Sequence, residues 1–147
     1  MAIVQCVPDS QLLAFAKGVG DFQAAGDTFK MALYLATASL GTGTTAYTAD
    51  GEVSGTGYSA GGATLTSVDP VVSNNKTVFD FTDLTFSALT VTGIAGAMIY
   101  NSSQSNAVVA ILKFTTALSP SAQDVVVTFP GAASTSAILR LRQVANG

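Results

Sequence analysis

Residues Gly93–Phe114 read GIAGAMIYNSSQSNAVVAILKF. Two apolar arms, Ile94–Tyr100 and Ala107–Phe114, flank a polar break, Asn101–Asn106, rich in Asn and Ser. Short apolar runs bounded by turn residues predict a β-hairpin with a longer loop. The second arm, AVVAILKF, is apolar at consecutive positions, whereas a strand with one face in water alternates. This strand therefore lies centrally in a two-layer core or is covered by another part of the chain.

Working outward, the neighbouring segments also read as strands. In Lys76–Phe81, Thr77, Phe79 and Phe81 share one face, and Lys76, Val78 and Asp80 share the other, which predicts a half-buried strand. Asp83–Ala88 reads as a short connection that inserts Phe86 into the core, and Ser73–Asn75 as a turn. Further upstream, Ala63–Val68 is a strand stopped by Asp69–Pro70. In Thr28–Leu35, Phe29, Met31, Leu33 and Leu35 face one side, with Lys30, Ala32 and Tyr34 on the other. Ala36–Thr48 is small and hydroxylated and reads as loop, with Thr45–Thr48 as a possible short strand inside it. Downstream of the hairpin, Asp124–Phe129 turns Val125, Val127 and Phe129 inward. The last strand, Ala137–Arg142, points Ala137, Leu139 and Leu141 in and Arg140 and Arg142 out. Eight or nine short strands with turn signals at roughly ten-residue spacing predict an all-β fold, a β-sandwich of jelly-roll type.

The N-terminal residues differ. Asp9 or Ser10 after Pro8 is placed to cap a short helix whose apolar face is Leu12, Leu13, Phe15 and Ala16, and Gly18 and Gly20 end it. Such a helix is marginal alone and needs a surface to pack on. It either closes one end of its own sandwich or docks on a neighbour. The chain of 147 residues divides into an N-terminal arm with a short helix, 1–26, and a β-sandwich domain, 27–147.

Only 10% of residues are charged, against about 25% in a typical soluble domain. The surface is therefore Ser, Thr, Asn, Gly and Ala, which gives up its water cheaply and suits packing against other protein copies. Net charge is −3 and the six basic residues are scattered, which argues against nucleic acid as a partner. One cysteine, Cys6, excludes an internal disulfide framework and reads as a small buried hydrophobe. MAIVQCVPDS lacks a basic n-region and is broken by Pro8, so no signal peptide is expected. No apolar run approaches the roughly 20 residues that span a bilayer, so no membrane partner is expected.

Histidine and tryptophan are absent. Without histidine there is no His-based triad, general base or metal site. The carboxylate pairs Asp80 with Asp83 and Asp50 with Glu52 have the composition of a calcium site or a glycosidase pair. Asp80 and Asp83 are expected to be solvated on a polar face and a turn. Gly55, Gly57 and Gly61 lack the dinucleotide spacing and no helix pattern follows, so they are read as bends and close backbone approaches. The expectation is a non-enzyme without catalytic residues, metal or cofactor.

Four segments in order resemble a known family: DTFKMALYLATASL (27–40), TAYTADGEVSGTGYSAGGATLT (45–66), VFDFTDLTFSALTVTGIAGAMIYN (78–101) and NAVVAILKF (106–114). An acidic turn before an E-x-x-G-x-G-Y segment, an F-D-x-x-D-x-x-F piece and an A-x-I-Y-N hairpin are similar to small virion proteins of tailed bacteriophages. The likeness spans about Asp27 to Leu141. It implies a capsid cement, or head decoration, protein: a small β-sandwich bound outside the major capsid protein shell, clamping neighbouring capsomers against internal DNA pressure. It further implies assembly in the host cytoplasm, residence on the virion exterior, and self-association as a dimer or trimer on a capsid symmetry axis. The candidate partner contacts are then Leu12, Leu13 and Phe15 of the arm, Tyr47 in the small-residue loop, Tyr58, and Asn101, Ser102 and Asn106 of the hairpin loop. Two other readings stay open: a carbohydrate-binding jelly roll that stacks sugars on Tyr47, Tyr58 and Tyr100, and a tail or head–tail connector subunit that forms rings.

Overall fold

The structure, a computed structural model, describes residues 2–131 and 139–142. In chain order its elements are α1 (Asp9–Lys17), β1 (Phe29–Leu35), β2 (Ala63–Thr64), β3 (Ser67–Ser73), β4 (Lys76–Phe81), β5 (Leu84–Leu89), β6 (Ile94–Asn101), β7 (Ala107–Leu118), β8 (Gln123–Val127) and β9 (Leu139–Arg142). One layer is the antiparallel sheet β2-β1-β6-β7. The other is divided into a three-stranded sheet, β3-β4-β9, and a two-stranded ribbon, β5-β8. The result is an all-β sandwich with a short N-terminal helix. A jelly roll would set two four-stranded sheets face to face, and the second layer here is split instead.

The period-two pattern of β1 builds the main core. Phe29, Met31 and Leu33 meet Phe79, Phe81, Phe86, Leu89, Phe129 and Leu139 of the second layer. Phenylalanines run through it in stacked and edge-on contacts, with Phe22 stacked 4.6 Å from Phe29, and Phe29–Phe81 and Phe81–Phe129 edge-on at 5.6 Å. Such pairs add to the stabilisation that area burial gives.

A second, smaller core lies on the opposite face of the same sheet. Ala32 and Tyr34 of β1, Met98 and Tyr100 of β6, and Val108 and Ile111 of β7 are covered there by Ile3, Ala38 and Leu40. The main sheet is thus buried on both sides, which accounts for the unbroken apolar run of β7. A bulge sharpens the effect. Ile99 pairs with Ala110 and Tyr100 with Val108, so Val109 is the extra residue. Val108 and Ile111 face the small core, while Val109 and Ala110 face the large one.

Several expectations are corrected. Asp69–Pro70 does not stop a strand: β3 runs through it with a bulge between Val68 and Val71. Proline is tolerated because β3 is an edge strand. Asn74 and Asn75, with φ of 47° and 60°, form the two-residue turn to β4 that the asparagine side chain favours. Asp83–Ala88 is not a connection but mostly strand β5, with Phe86 in the core as expected. In β4, Val78 and Asp80 are buried as well as Phe79 and Phe81, so the strand is covered on both faces. Leu141 is exposed although it shares a face with buried Leu139, because it pairs with Thr77, beyond the last core residue, Phe79. Thr45–Thr48 forms only a single pairing, Ala46 with Ala107. Ala137 lies outside the described residues.

The arm packs on its own sandwich. Phe15 lies tilted at 5.6 Å against both Phe22 and Phe79, and Ile3 is buried in the small core. Pro8 occupies the helix cap without a side-chain hydrogen bond, and Ser10 Oγ instead donates to the Thr44 carbonyl at 3.5 Å. Gly18, at φ 66°, ends the helix with its own N–H and that of Val19 returned to the Phe15 and Ala14 carbonyls.

Two alanines hold left-handed backbone, Ala88 at φ 48°, where the ribbon β5-β8 changes register, and Ala122 at φ 49°, just before β8. Left-handed φ costs an L-residue with a Cβ roughly 1–2 kcal/mol, and glycine gives part of that back in chain entropy. Ala88→Gly and Ala122→Gly are each expected to raise stability by about 0.5–1 kcal/mol, read from the midpoint of denaturant unfolding. A loss in both would show that these backbones are not strained.

Candidate functional site

The polar centre of the molecule is built around Glu52, the only glutamate in the chain. The Asp50–Gly51 turn returns the chain beside β1, where Leu35 N–H donates to Gly51 O at 2.8 Å and Val53 N–H to Leu33 O at 3.0 Å. This pairing sets Glu52 opposite Tyr34. Its Oε1 accepts the Tyr58 hydroxyl at 2.6 Å and the Gly61 N–H at 2.8 Å, and its Oε2 accepts the Tyr47 hydroxyl at 2.7 Å. The Tyr58 oxygen in turn accepts Leu33 N–H at 2.9 Å. Tyr100 donates to Gly61 O at 2.7 Å and Tyr34 to Thr48 O at 2.6 Å. Tyr34, Tyr47 and Tyr100 therefore tie the segment between β1 and β2 to the outer face of the main sheet, and Tyr58 ties it to the β1 backbone and packs on the inner side against Phe86.

The electrostatics suit a staple. Burial first, then the hydrogen bond to Glu52, pushes the Tyr47 hydroxyl up to about 12. Burial and the Glu52 charge push Tyr34, Tyr58 and Tyr100 up as well, Tyr34 and Tyr58 furthest. These phenols remain neutral donors across the physiological range. Because their folded pKa values lie above the ordinary value near 10, their contribution to stability is intact below that pH. It is lost as pH rises through the folded values. Unfolding by denaturant is therefore expected to become easier from about pH 10 upward, with tyrosinate absorbance rising later in the folded chain than in the unfolded one. Coincident titration curves would contradict this.

The candidate contacts fall into two groups. Leu12 and Leu13 lie on the outer side of α1 at 52% and 55% exposure, while Gln11 is the buried residue of that helix at 4%. The apolar face expected of Leu12, Leu13, Phe15 and Ala16 is therefore divided: Phe15 alone of the four turns inward, and Ala16 is exposed with the two leucines. Asn106 is exposed in the hairpin loop at φ 57°, and its carbonyl accepts Tyr47 N–H at 2.9 Å. Ser102 is half-buried, with its hydroxyl donating to Thr28 O at 2.9 Å. The other side chains are committed inside. Asn101 is buried and donates to Asp27 Oδ2 at 2.8 Å. Tyr58 lies against Phe86, and Tyr47 stacks on Tyr100 at 4.9 Å between ring centres. Tyr58 and the buried Tyr100 do not offer a free ring face for a sugar.

The carboxylates read as possible pairs are also structural. Asp80 is buried rather than solvated, and its Oδ1 accepts Phe81 N–H at 2.9 Å. Asp83 Oδ1 accepts Phe129 N–H at 2.9 Å. Asp27 feels burial pushing its carboxyl up, but hydrogen bonds from Asn101, the Asp21 N–H and Gln104 leave it below its usual value. Cys6 is half-buried, exchanges both backbone hydrogen bonds with Ile111, and has its thiol pushed up by burial and by Asp9.

Two surface features complete the picture. A hydroxyl-lined concavity of about 510 Å³ lies along Ser39–Thr48. An apolar cavity of about 200 Å³ opens at the side of the sandwich between β7 and β8, lined by Leu33, Ile94, Phe114, Leu118 and Val125 to Val127. It exists because β7 parts from β6 there: Gly96 pairs with Lys113, but Ile94 pairs with Leu118. Glu52 is a hydrogen-bond hub rather than half of a carboxylate pair with Asp50, and neither that hub nor this open side has a periodic signature in the sequence. A lone glutamate inside a tyrosine- and glycine-rich segment was the available sign of the first. Comparison with protein-family models, with curated proteins and with solved structures returned no match in any of the three.

Proposed function

We propose that this chain is a structural virion protein of a tailed bacteriophage, a capsid cement protein that binds the outside of the major capsid protein shell and bridges capsomers. The observation that carries this reading is how the residues shared with that family are used. Glu52 and Tyr58 of the E-x-x-G-x-G-Y segment bond each other at 2.6 Å, and Gly55 and Gly57 lie against the Thr90 and Ala88 carbonyls. Phe79 and Phe86 are core, and Asp80 and Asp83 hold backbone N–H groups. Ala97, Ile99 and Tyr100 are buried and Asn101 ties to Asp27. These motif residues are spent on a rigid scaffold, which suits a protein whose task is mechanical.

The outer surface fits the same task. Leu12 and Leu13 project from α1, and the Ser39–Thr48 loop offers hydroxyls and backbone with no charged side chain. Desolvating such a surface costs less than desolvating ion pairs, and weak contacts repeated by symmetry sum to firm attachment. The glycan-binding reading is weaker, because Tyr58 and Tyr100 are consumed within the fold.

The test is co-sedimentation of the purified chain with expanded, emptied heads of the phage that encodes it, beside isolated tails. Saturable binding to heads at a fixed ratio to the major capsid protein is expected, and weakened by Leu12→Ser with Leu13→Ser. Binding to tails alone, or to neither, would sink the proposal.

A further inference from the structure

Each edge of the sheets differs in how it is closed. β2 is two residues long, and β3 carries Asp69, Pro70 and a bulge. The lower edge of β7 is taken by Cys6, by Thr45 and by α1. β9 carries two arginines, and the far side of the end of β5 is covered by Gly57 against the Ser87 and Ala88 carbonyls and, just past the strand, by Thr90 N–H donating to Thr56 O. Short edges, proline, bulges and basic residues are the devices that keep sheet edges from pairing. β8, QDVVV, has none of them. Among the described residues it pairs with β5 alone. Its single charge, Asp124, is drawn back to accept Ala88 N–H of β5 at 2.8 Å. Val126 stands 56% exposed, and the apolar cavity opens alongside.

We infer that β8 is a self-association edge, at which two copies of this chain pair their β8 strands antiparallel about a two-fold axis. The occupant must supply backbone donors and acceptors, which a lipid or small apolar ligand lacks and a strand provides. A second β8 fits this edge because its register is self-complementary. The pairing that uses all five residues is centred on Val125. It sets Gln123 against Val127 and Asp124 against Val126 of the second copy, so no like charges meet. A two-stranded ribbon is marginal in water, and this contact converts two of them into one four-stranded sheet, β5-β8-β8-β5, that crosses the mouths of both cavities. A two-fold contact of this kind closes at a dimer. The inference concerns the chain's contact with itself, so its failure in solution leaves capsid binding to its own test.

Sedimentation velocity of the full chain over a wide concentration range tests it, with two substitutions at the same exposed position. Val126→Asp places two like-charge pairs across the axis and is expected to weaken the dimer about tenfold or more. Val126→Lys places lysine opposite Asp124 and is expected to keep or tighten it. Hydrogen exchange on the wild-type chain should show protection of the β8 amides rising with concentration. A wild-type chain that stays monomeric, a trimer, equal loss in both variants, or concentration-independent β8 exchange would each overturn the proposal.

Discussion

Glu52→Ala is expected to lower the free energy of unfolding by about 3 kcal/mol, the largest loss from any single polar side chain here. The reasoning is an accounting of donors. Two phenols and one backbone N–H converge on this carboxylate at 2.6–2.8 Å, and Gly61, which supplies the N–H, is buried. Each donor left without its acceptor costs roughly 1 kcal/mol or more. Glu52→Gln is expected to cost only about 1 kcal/mol, because its carbonyl oxygen still serves one side while the Tyr47 hydroxyl turns to accept from the amide. Tyr58→Phe separates the terms, since it removes one donor and leaves the others paired. Denaturant unfolding of the four proteins checks this. An alanine variant within 1 kcal/mol of wild type would mean that water replaces the carboxylate freely and that the cluster is not a staple.

The two-sided burial of β7 was legible in AVVAILKF, because consecutive apolar residues leave no face for water. What covered the second face was not legible. Leu40 and Ala38 lie in a stretch with the composition of a loop, and contacts distant in sequence bring it down onto the sheet: backbone pairing of Leu40 with Ile3 and of Ala46 with Ala107, and the Tyr34 bond to Thr48 O. Periodicity reports which way a side chain points relative to its neighbours, not what it meets. The same limit explains Asp80, which alternation assigned to solvent and the fold buries on a second covered face. It explains Leu12 and Leu13 too: helical spacing grouped them with Phe15, but the contact with Phe22 and Phe79 rotates α1 so that Gln11 is buried and both leucines stand out. Glycine spacing was more informative. Gly55, Gly57 and Gly61 read as bends and close backbone approaches, and Gly55 and Gly57 do lie against the Thr90 and Ala88 carbonyls, whereas Gly61 faces the Tyr100 hydroxyl.

Gly62 carries the second large prediction. It sits at φ 73°, and a Cβ there would be driven into the Met31 carbonyl of β1. Neither side can yield easily. Met31 pairs with Ile99 on one side and Ala63 on the other, inside the central sheet, and Gly62 N–H is held by Ser59 O at 2.9 Å. Gly62→Ala therefore combines a left-handed backbone with a clash against an immovable strand, and is expected to cost more than about 4 kcal/mol, enough to abolish soluble expression. Two other glycines separate the causes. Gly18 has φ 66° but open space around it, so Gly18→Ala should cost only about 1 kcal/mol. Gly43 has an ordinary φ and open space, so Gly43→Ala should be near neutral. Soluble yield and thermal unfolding of the three variants rank them. If Gly62→Ala folded like Gly18→Ala, the seam between β1 and the start of β2 would have to be looser than the Met31 contact requires, and the close approach would not be what fixes glycine at that position.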